Sequence, residues 1–164
     1  MFMKSLLPFV FLALPSLAQA ADITGVAKIR EADAIQIGPT RIRLGGIDAP
    51  SVDQLCLNNA GERWTCGVAA RDELIKYTEG KSWTCHPRQV DRRGRQIARC
   101  EVDGEDIQKW LVSNGWALAY ARLSHDYDAD EAAAREAKAG MWQGAFIAPW
   151  DWRIRNKKTT ILGA

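Results

Sequence analysis

The sequence predicts an α+β domain, with short strands early and helices late. Alternating apolar and polar residues mark closely spaced strands up to Leu44, and helical spacing of apolar residues begins only after Cys66. A strand pair then interrupts the helical segments, which points to segregated strands and helices rather than a regular βαβ repeat.

The first element, Ile23 to Arg30, sets Ile23, Gly25, Ala27 and Ile29 against Thr24, Val26, Lys28 and Arg30, with Val26 out of pattern. Ile35-Gln36-Ile37 and Arg41-Ile42-Arg43-Leu44 alternate about a Gly38-Pro39 turn. Asp48 to Thr65 holds no period and reads as a long loop. Between Gly67 and Glu79, Ala70, Leu74 and Tyr77 fall on one helical face, and Gly80 stands at the C-terminal cap. Trp83 to Cys85 and Ile97 to Val102 form a hairpin turning at Arg92-Arg93-Gly94. Asp106 to Asn114 is a second helix, with Ile107, Trp110 and Leu111 on one face, and Asp126 to Ala139 is a third. Five strands and three helices suit a small Greek-key barrel of the OB type, a choice that periodicity alone does not make.

The chain has 164 residues, with 22 Lys plus Arg against 20 Asp plus Glu, a formal net charge of +2. Residues 1–20 carry one charge, Lys4, then an apolar run from Leu6 to Leu14 and a small-residue end, Ala18-Gln19-Ala20. That layout is a secretory signal peptide cleaved between Ala20 and Ala21. The run is too short, and too interrupted by Pro8 and Pro15, for a membrane anchor. The rest of the chain is one exported domain of near-neutral charge, expected in the periplasm or the medium, with no membrane contact after cleavage and as a monomer. Near-neutrality excludes a basic nucleic-acid coat, so any anion site is local. Four cations between Arg153 and Lys158 mark residues 153–164 as a basic C-terminal tail expected to fray.

Cys56, Cys66, Cys85 and Cys100 all lie beyond the signal, and an even number in an exported chain implies disulfides with three connectivities. Local closure favours Cys56 with Cys66 and Cys85 with Cys100, each worth about 3 kcal/mol. Structural zinc is disfavoured because no Cys-x-x-Cys occurs and only His86 and His125 are at hand. Trp110, Trp116 and Trp142 are expected in the core, and Trp150 and Trp152 in a packed C-terminal clamp.

Three clusters carry candidate chemistry, each weak alone: Glu31-Ala32-Asp33, Arg43-Leu44-Gly45-Gly46-Ile47-Asp48-Ala49-Pro50, and Asp91-Arg92-Arg93-Gly94-Arg95. Together they offer carboxylate oxygens for a hard cation such as Ca²⁺ and guanidinium forks for phosphate oxygens, the combination that phosphodiester hydrolysis requires.

The ordered series Glu31-Ala32-Asp33-Ala34, Arg43-Leu44-x-Gly46-Ile47-Asp48-Ala49-Pro50, Asp91-x-x-Gly94-Arg95, Leu111-Val112-x-x-Gly115-x-Ala117 and Glu131-x-x-x-Arg135-x-x-Lys138-x-Gly140-Met141-Trp142 resembles the staphylococcal-nuclease-like (thermonuclease) family, in particular its exported, disulfide-bearing bacterial members. The resemblance assigns residues 21–152 to one such domain. It implies an OB-type barrel flanked by helices and Ca²⁺-dependent cleavage of DNA and RNA. By position it implies Asp33, Asp48 and the Ala49 carbonyl as calcium ligands, Arg43 and Arg95 as phosphate clamps, and Asp91 and Arg93 beside the substrate. The departures are specific. The family's Asp-Gly-Asp-Thr is here Glu31-Ala32-Asp33-Ala34, its hairpin tyrosine is Arg93, and its glutamate after Asp-x-Pro, assigned to the attacking water, is Ser51. A serine hydroxyl is a poor base near neutral pH, and Asp53 is the nearest carboxylate that could stand in. The sequence therefore predicts a slowed secreted nuclease. The alternatives are an inactive nuclease-like domain that binds nucleic acid or another polyanion, and an exported structural domain.

Overall fold

The computed structural model describes residues 21–155 and 161–163; the expected signal peptide and residues 156–160 and 164 of the basic tail lie outside them. The strands are β1 (Ile23–Val26), β2 (Lys28–Glu31), β3 (Ala34–Ile37), β4 (Thr40–Leu44), β5 (Ile47–Asp48), β6 (Cys56–Leu57), β7 (Arg63–Trp64), β8 (Ser82–Val90), β9 (Gln96–Val102), β10 (Glu105–Asp106), β11 (Leu118–Ala119), β12 (Ala145–Ile147) and β13 (Ile161–Gly163). The helices are α1 (Cys66–Thr78), α2 (Ile107–Ser113), α3 (Asp128–Glu136) and α4 (Pro149–Ile154), with a 3₁₀ turn over Gly140–Gln143. No helix among the described residues is long and apolar enough to cross a membrane.

The main sheet runs β1-β8-β9-β4-β3-β2. β1 and β2 are halves of one strand that changes partner at Ala27: Val26 pairs with Ser82 of β8, and Lys28 pairs with Gln36 of β3. The two ends of the sheet order are therefore the same stretch of chain, and the sheet curls into an OB-type barrel of an α+β fold. Alternation continues through the bend, since Val26 is a surface valine, 65% exposed. β4 and β9 are parallel and the other pairs in this sheet antiparallel.

Ile35, Ile42, Leu44, Trp83, Ala98 and Val102 fill the barrel, and α1 and α2 cover it with Leu74, Ile107 and Leu111. A second apolar cluster, with Leu118, Ala134, Met141, Trp142 and Phe146, lies under the C-terminal segment. The disulfides are Cys56–Cys66 and Cys85–Cys100, the pairing that local closure favours. Cys85 and Cys100 are direct partners across β8 and β9, whereas Cys56 and Cys66 tie the long loop to the second cluster.

The family-pattern glycines have a steric explanation. Gly115 adopts φ +70°, and a Cβ on it would lie 2.1 Å from the Ala139 oxygen. A Cβ on Gly140, at φ +52°, would lie 2.5 Å from the Gly115 oxygen. The end of α2 and the entry to the 3₁₀ turn thus touch backbone to backbone, with the Met141 N–H donating to the Gly115 carbonyl at 3.0 Å.

The basic tail departs from expectation. Pro149 opens a fourth helix, with Asp151 in its first turn and Arg153 in its last, and Ile161–Gly163 pairs with Ala145–Ile147. At six residues α4 is too short for an apolar period, so the sequence assigns its last two residues, Arg153 and Ile154, to the tail.

Candidate functional site

Three barrel elements bring Asp33, Arg43 and Asp48 together. Asp33 occupies the turn between β2 and β3, where its own carbonyl accepts the Leu44 N–H at 2.9 Å, and it is fully buried. Arg43 stands opposite Ala34 on the outer face of β4, because Ile42 and Leu44 take the inner face. Asp48 lies on β5, which is held by pairing with Leu118 of β11. Arg43 Nη2 is 3.2 Å from Asp33 Oδ2 and 2.5 Å from Asp48 Oδ1. The other bond to Asp33 Oδ2 comes from the Ala49 N–H at 3.0 Å, so this carboxylate also orients the backbone beyond Asp48.

A fourth participant is Arg153 of α4, which the sequence assigned to a fraying tail. Its Nη2 donates to Asp48 Oδ1, and its Nη1 donates to the Ala49 carbonyl at 3.1 Å. Burial lowers its pKa; Asp33 opposes this, Arg43 adds to it and Glu31 opposes it. A guanidinium has ample margin to stay charged. Two carboxylates thus face two guanidiniums, and the cluster is neutral. Proline at the start of α4 and arginine near its end were the signals of a short, oriented helix; nothing local in the sequence says that it returns to Asp48.

Arg95 lies at the β8–β9 turn. Ile97 is the register partner of Arg43, and Arg95 lies two residues before Ile97, just ahead of β9. Its Nε is 2.7 Å from Asp91 Oδ2. Asp91 Oδ1 accepts the N–H groups of Arg93 at 2.8 Å and Arg95 at 2.9 Å. Burial pushes the Asp91 carboxyl up, but the backbone and side chain of Arg95 and the Arg93 N–H outweigh it and hold the pKa down to about 2. Asp91 is therefore the brace of the β8–β9 hairpin tip. Arg93 is exposed there, and its carbonyl accepts from Arg41 Nη2 at 2.9 Å.

Ser51 is 8% exposed and packs under α1: a Cβ on Gly67 would come 1.8 Å from its carbonyl oxygen, so only glycine fits. Asp53 does not serve as a replacement base, because both of its oxygens are engaged by the C-terminal helix. Oδ1 accepts from Trp152 Nε1 at 3.1 Å, and Oδ2 from Arg155 Nη2 at 2.7 Å. These bonds, Arg155 first and Trp152 second, lower its pKa and weaken it as a proton acceptor. Arg155 also lies over the Trp152 ring at 4.8 Å, so Trp152 and Arg155 together hold Asp53, while Trp150 packs against Tyr120 instead. Ala32 is buried without positive φ, so the absence of glycine there costs no backbone strain.

Asp33 Oδ1 and Asp48 Oδ2 are both buried without a hydrogen-bond partner. Two desolvated, unpartnered carboxylate oxygens in one cluster are costly as they stand, and a hard cation would relieve both. Hard carboxylate oxygens of this kind fit a Ca²⁺-class ion, although no group of three or more His, Cys, Asp or Glu side chains is placed to hold a metal among the described residues. A cleft of about 470 Å³ has Gly45, Gly46, Ile97, Arg88, Arg99, Arg122 and Asp126 among its lining residues. Its wall includes Ile97, the register partner of Arg43.

A family model described as Staphylococcal nuclease homologue matches residues 41–144. The chain belongs to that family. The matched span includes Arg43, Asp48, Ser51 and Arg95, and leaves Asp33 and Arg153 on either side. Among curated proteins, the succinoglycan biosynthesis protein ExoI of Rhizobium meliloti (strain 1021) is 30% identical over 127 residues, covering 76% of this chain and 66% of that protein. The staphylococcal-like nuclease CAN1 of Arabidopsis thaliana is 32% identical over 123 residues, 72% of this chain and 34% of that protein. An uncharacterized 38.1 kDa protein of Capnoides sempervirens is 33% identical over 121 residues, 72% and 32% of the two chains. The staphylococcal nuclease homologue domain thus spans just under two thirds of one relative and about a third of the others.

Proposed function

We propose that the protein is an exported, Ca²⁺-dependent phosphodiesterase that hydrolyses DNA or RNA slowly. The observation that carries this reading is the cluster of Arg43, Asp33 and Asp48, with two buried carboxylate oxygens left unpartnered. Relatives named as staphylococcal-like nucleases support the reaction class. Residues 1–20 as a cleaved signal peptide and two disulfides support export to the periplasm or the medium.

Asp33, Asp48 and the Ala49 carbonyl would hold the ion, which when bound supplies Lewis-acid polarisation of a phosphate oxygen. Arg43, held by the two carboxylates and partly exposed, offers its remaining N–H groups to the phosphate as negative charge grows. Arg95, braced by Asp91, meets the next part of the chain, and Arg93 adds a further cation at the tip. Burial of Ser51 limits bulk water near Pro50, but its hydroxyl removes a proton poorly, which costs about 10²- to 10⁴-fold in rate relative to a carboxylate base.

The test is cleavage of DNA and RNA by the purified, disulfide-bonded chain with Ca²⁺, with chelator, and after Arg43→Ala. Ca²⁺-dependent cleavage lost with Arg43 is expected; cleavage indifferent to both sinks the proposal. A second reading, a nuclease-like domain that binds nucleic acid or another polyanion without turnover, is favoured by Ser51 and by the relative named for succinoglycan biosynthesis rather than for a nuclease. Salt-sensitive binding with no cleavage would establish it.

A further inference from the structure

Arg153 contacts two of the three groups assigned to the cation. Its guanidinium takes Asp48 Oδ1 and the Ala49 carbonyl, while Asp33 and Arg43 complete the cluster from the barrel. A calcium ion on the unpartnered Asp48 Oδ2 and the Ala49 carbonyl, at about 2.3–2.6 Å, would share that carbonyl and that carboxylate with the guanidinium and stand beside it as a second cation. They exclude each other.

Nor is Arg153 loosely held. Residues on either side of it tie α4 to the loop after β5: Trp152 Nε1 and Arg155 Nη2 both donate to Asp53, three positions beyond Pro50. The same loop donates from Gln54 Nε2 to the Ile147 carbonyl at 2.7 Å, one residue before Ala148, whose carbonyl accepts the first amide bonds of α4. The loop that begins at the cation ligands therefore also anchors the helix that covers them.

We propose that Arg153 is a tethered cation that competes with Ca²⁺ for Asp48 and the Ala49 carbonyl, with Asp53 as the latch that keeps α4 closed. This deepens the metal-dependent reading of the site and rests on it. In the closed state the carboxylates are neutralised by Arg43 and Arg153. In the open state α4 lifts, Arg153 is released, and Asp48 and Ala49 become available. The apparent affinity for Ca²⁺ is then the intrinsic affinity reduced by the fraction of open molecules. Neutralisation without a metal also keeps the cluster folded when Ca²⁺ is scarce.

Calorimetric Ca²⁺ titration of the purified disulfide-bonded chain, its Arg153→Ala variant and its Asp53→Asn variant tests the proposal, with amide hydrogen exchange over residues 149–155 recorded with and without the ion. Arg153→Ala is expected to bind Ca²⁺ at least about tenfold more tightly. Asp53→Asn is the sharper variant, because Asp53 is exposed and its loss does not threaten the fold. By charge alone, removing an acid weakens cation binding; by release of the latch it strengthens binding, here by about threefold. Ca²⁺ is also expected to speed exchange in α4 of the unmodified chain. Weaker or unchanged binding in Asp53→Asn, or α4 exchange that saturating Ca²⁺ leaves unaltered, overturns the competition while leaving a metal site intact. No Ca²⁺ binding by any of the three at millimolar ion overturns the competition and the metal reading together.

Discussion

Asp48 is gripped from two sides by arginines of different origin, one from the barrel wall and one from the C-terminal cap. Arg43 is placed by strand register: its neighbours Ile42 and Leu44 are core residues, and its partners on β3 and β9 are fixed by the ladder. Arg153 is placed by a six-residue helix whose hold depends on Asp53, Gln54 and the second apolar cluster. The wall is specified by many cooperative pairings and the cap by a few contacts distant in sequence. On the proposed reading, phosphate would meet the densely paired wall, and the cation would enter beneath the more sparsely held cap.

The comparison breaks first if Arg43 proves dispensable. Arg43→Ala removes the donor shared by Asp33 and Asp48 and is expected to lower phosphodiester cleavage by about 10²- to 10³-fold, or about 3–4 kcal/mol of transition-state stabilisation. Steady-state cleavage of a short oligonucleotide measures it, and circular dichroism checks the fold. Arg153→Ala in the same assay is expected to preserve or raise the rate at low Ca²⁺. Equal losses at both positions would mean that the cap arginine belongs to the phosphate machinery.

The two disulfides sharpen the same contrast. Chain entropy assigns each about 3 kcal/mol, so Cys56→Ser/Cys66→Ser and Cys85→Ser/Cys100→Ser are expected to lower unfolding free energy comparably in urea. Their local effects differ. The Cys85–Cys100 link is bracketed by ladder pairs at Thr84–Glu101 and His86–Arg99, whereas Cys56–Cys66 steadies the loop that carries Asp53. Loss of the cap pair should therefore speed amide exchange in residues 149–155, and loss of the wall pair should not. Identical exchange in both variants would remove the distinction between wall and cap.

Legibility in the sequence divides the same way. The strands of the barrel, the cysteine pairs and the meeting of Asp33, Arg43 and Asp48 could be anticipated, because alternation reports burial and an ordered motif series reports register. The bend at Ala27 could not, since a change of partner leaves the alternation intact. Arg153 and the role of Asp53 were hidden for a different reason. Their bonds join residues about a hundred positions apart, between a loop without a period and a helix too short to show one. An exposed-looking acid and a basic tail carry no pattern that distinguishes a latch from solvated charge.

Ser51→Glu asks whether the wall alone awaits a base. A tenfold to hundredfold rise in cleavage is expected, below the full range for general-base assistance because Ser51 is buried and a longer side chain must find room there. Single-turnover cleavage, which separates chemistry from binding, is the measurement. No rise, with binding retained, would shift the reading to the polyanion-binding domain.

The smallest expected effect concerns acid. Asp91, with a folded pKa of about 2 against an ordinary value of 3.8, is depressed in the native state. Its contribution to stability is complete above 3.8, where both states are ionised, and declines as pH falls toward 2, because the unfolded chain takes up the proton first. Urea midpoints of the unmodified chain should therefore fall across that window more than those of Asp91→Asn, and the two should run parallel above it. Asp53 is lowered as well, by Arg155 and Trp152, so the latch is fully charged at neutral pH and titrates only in acid. The competition between Arg153 and the cation is accordingly governed by Ca²⁺ concentration rather than by pH in the neutral range. A cation affinity that changes between about pH 6 and 8 through Asp53 would contradict the depressed pKa on which this conclusion rests.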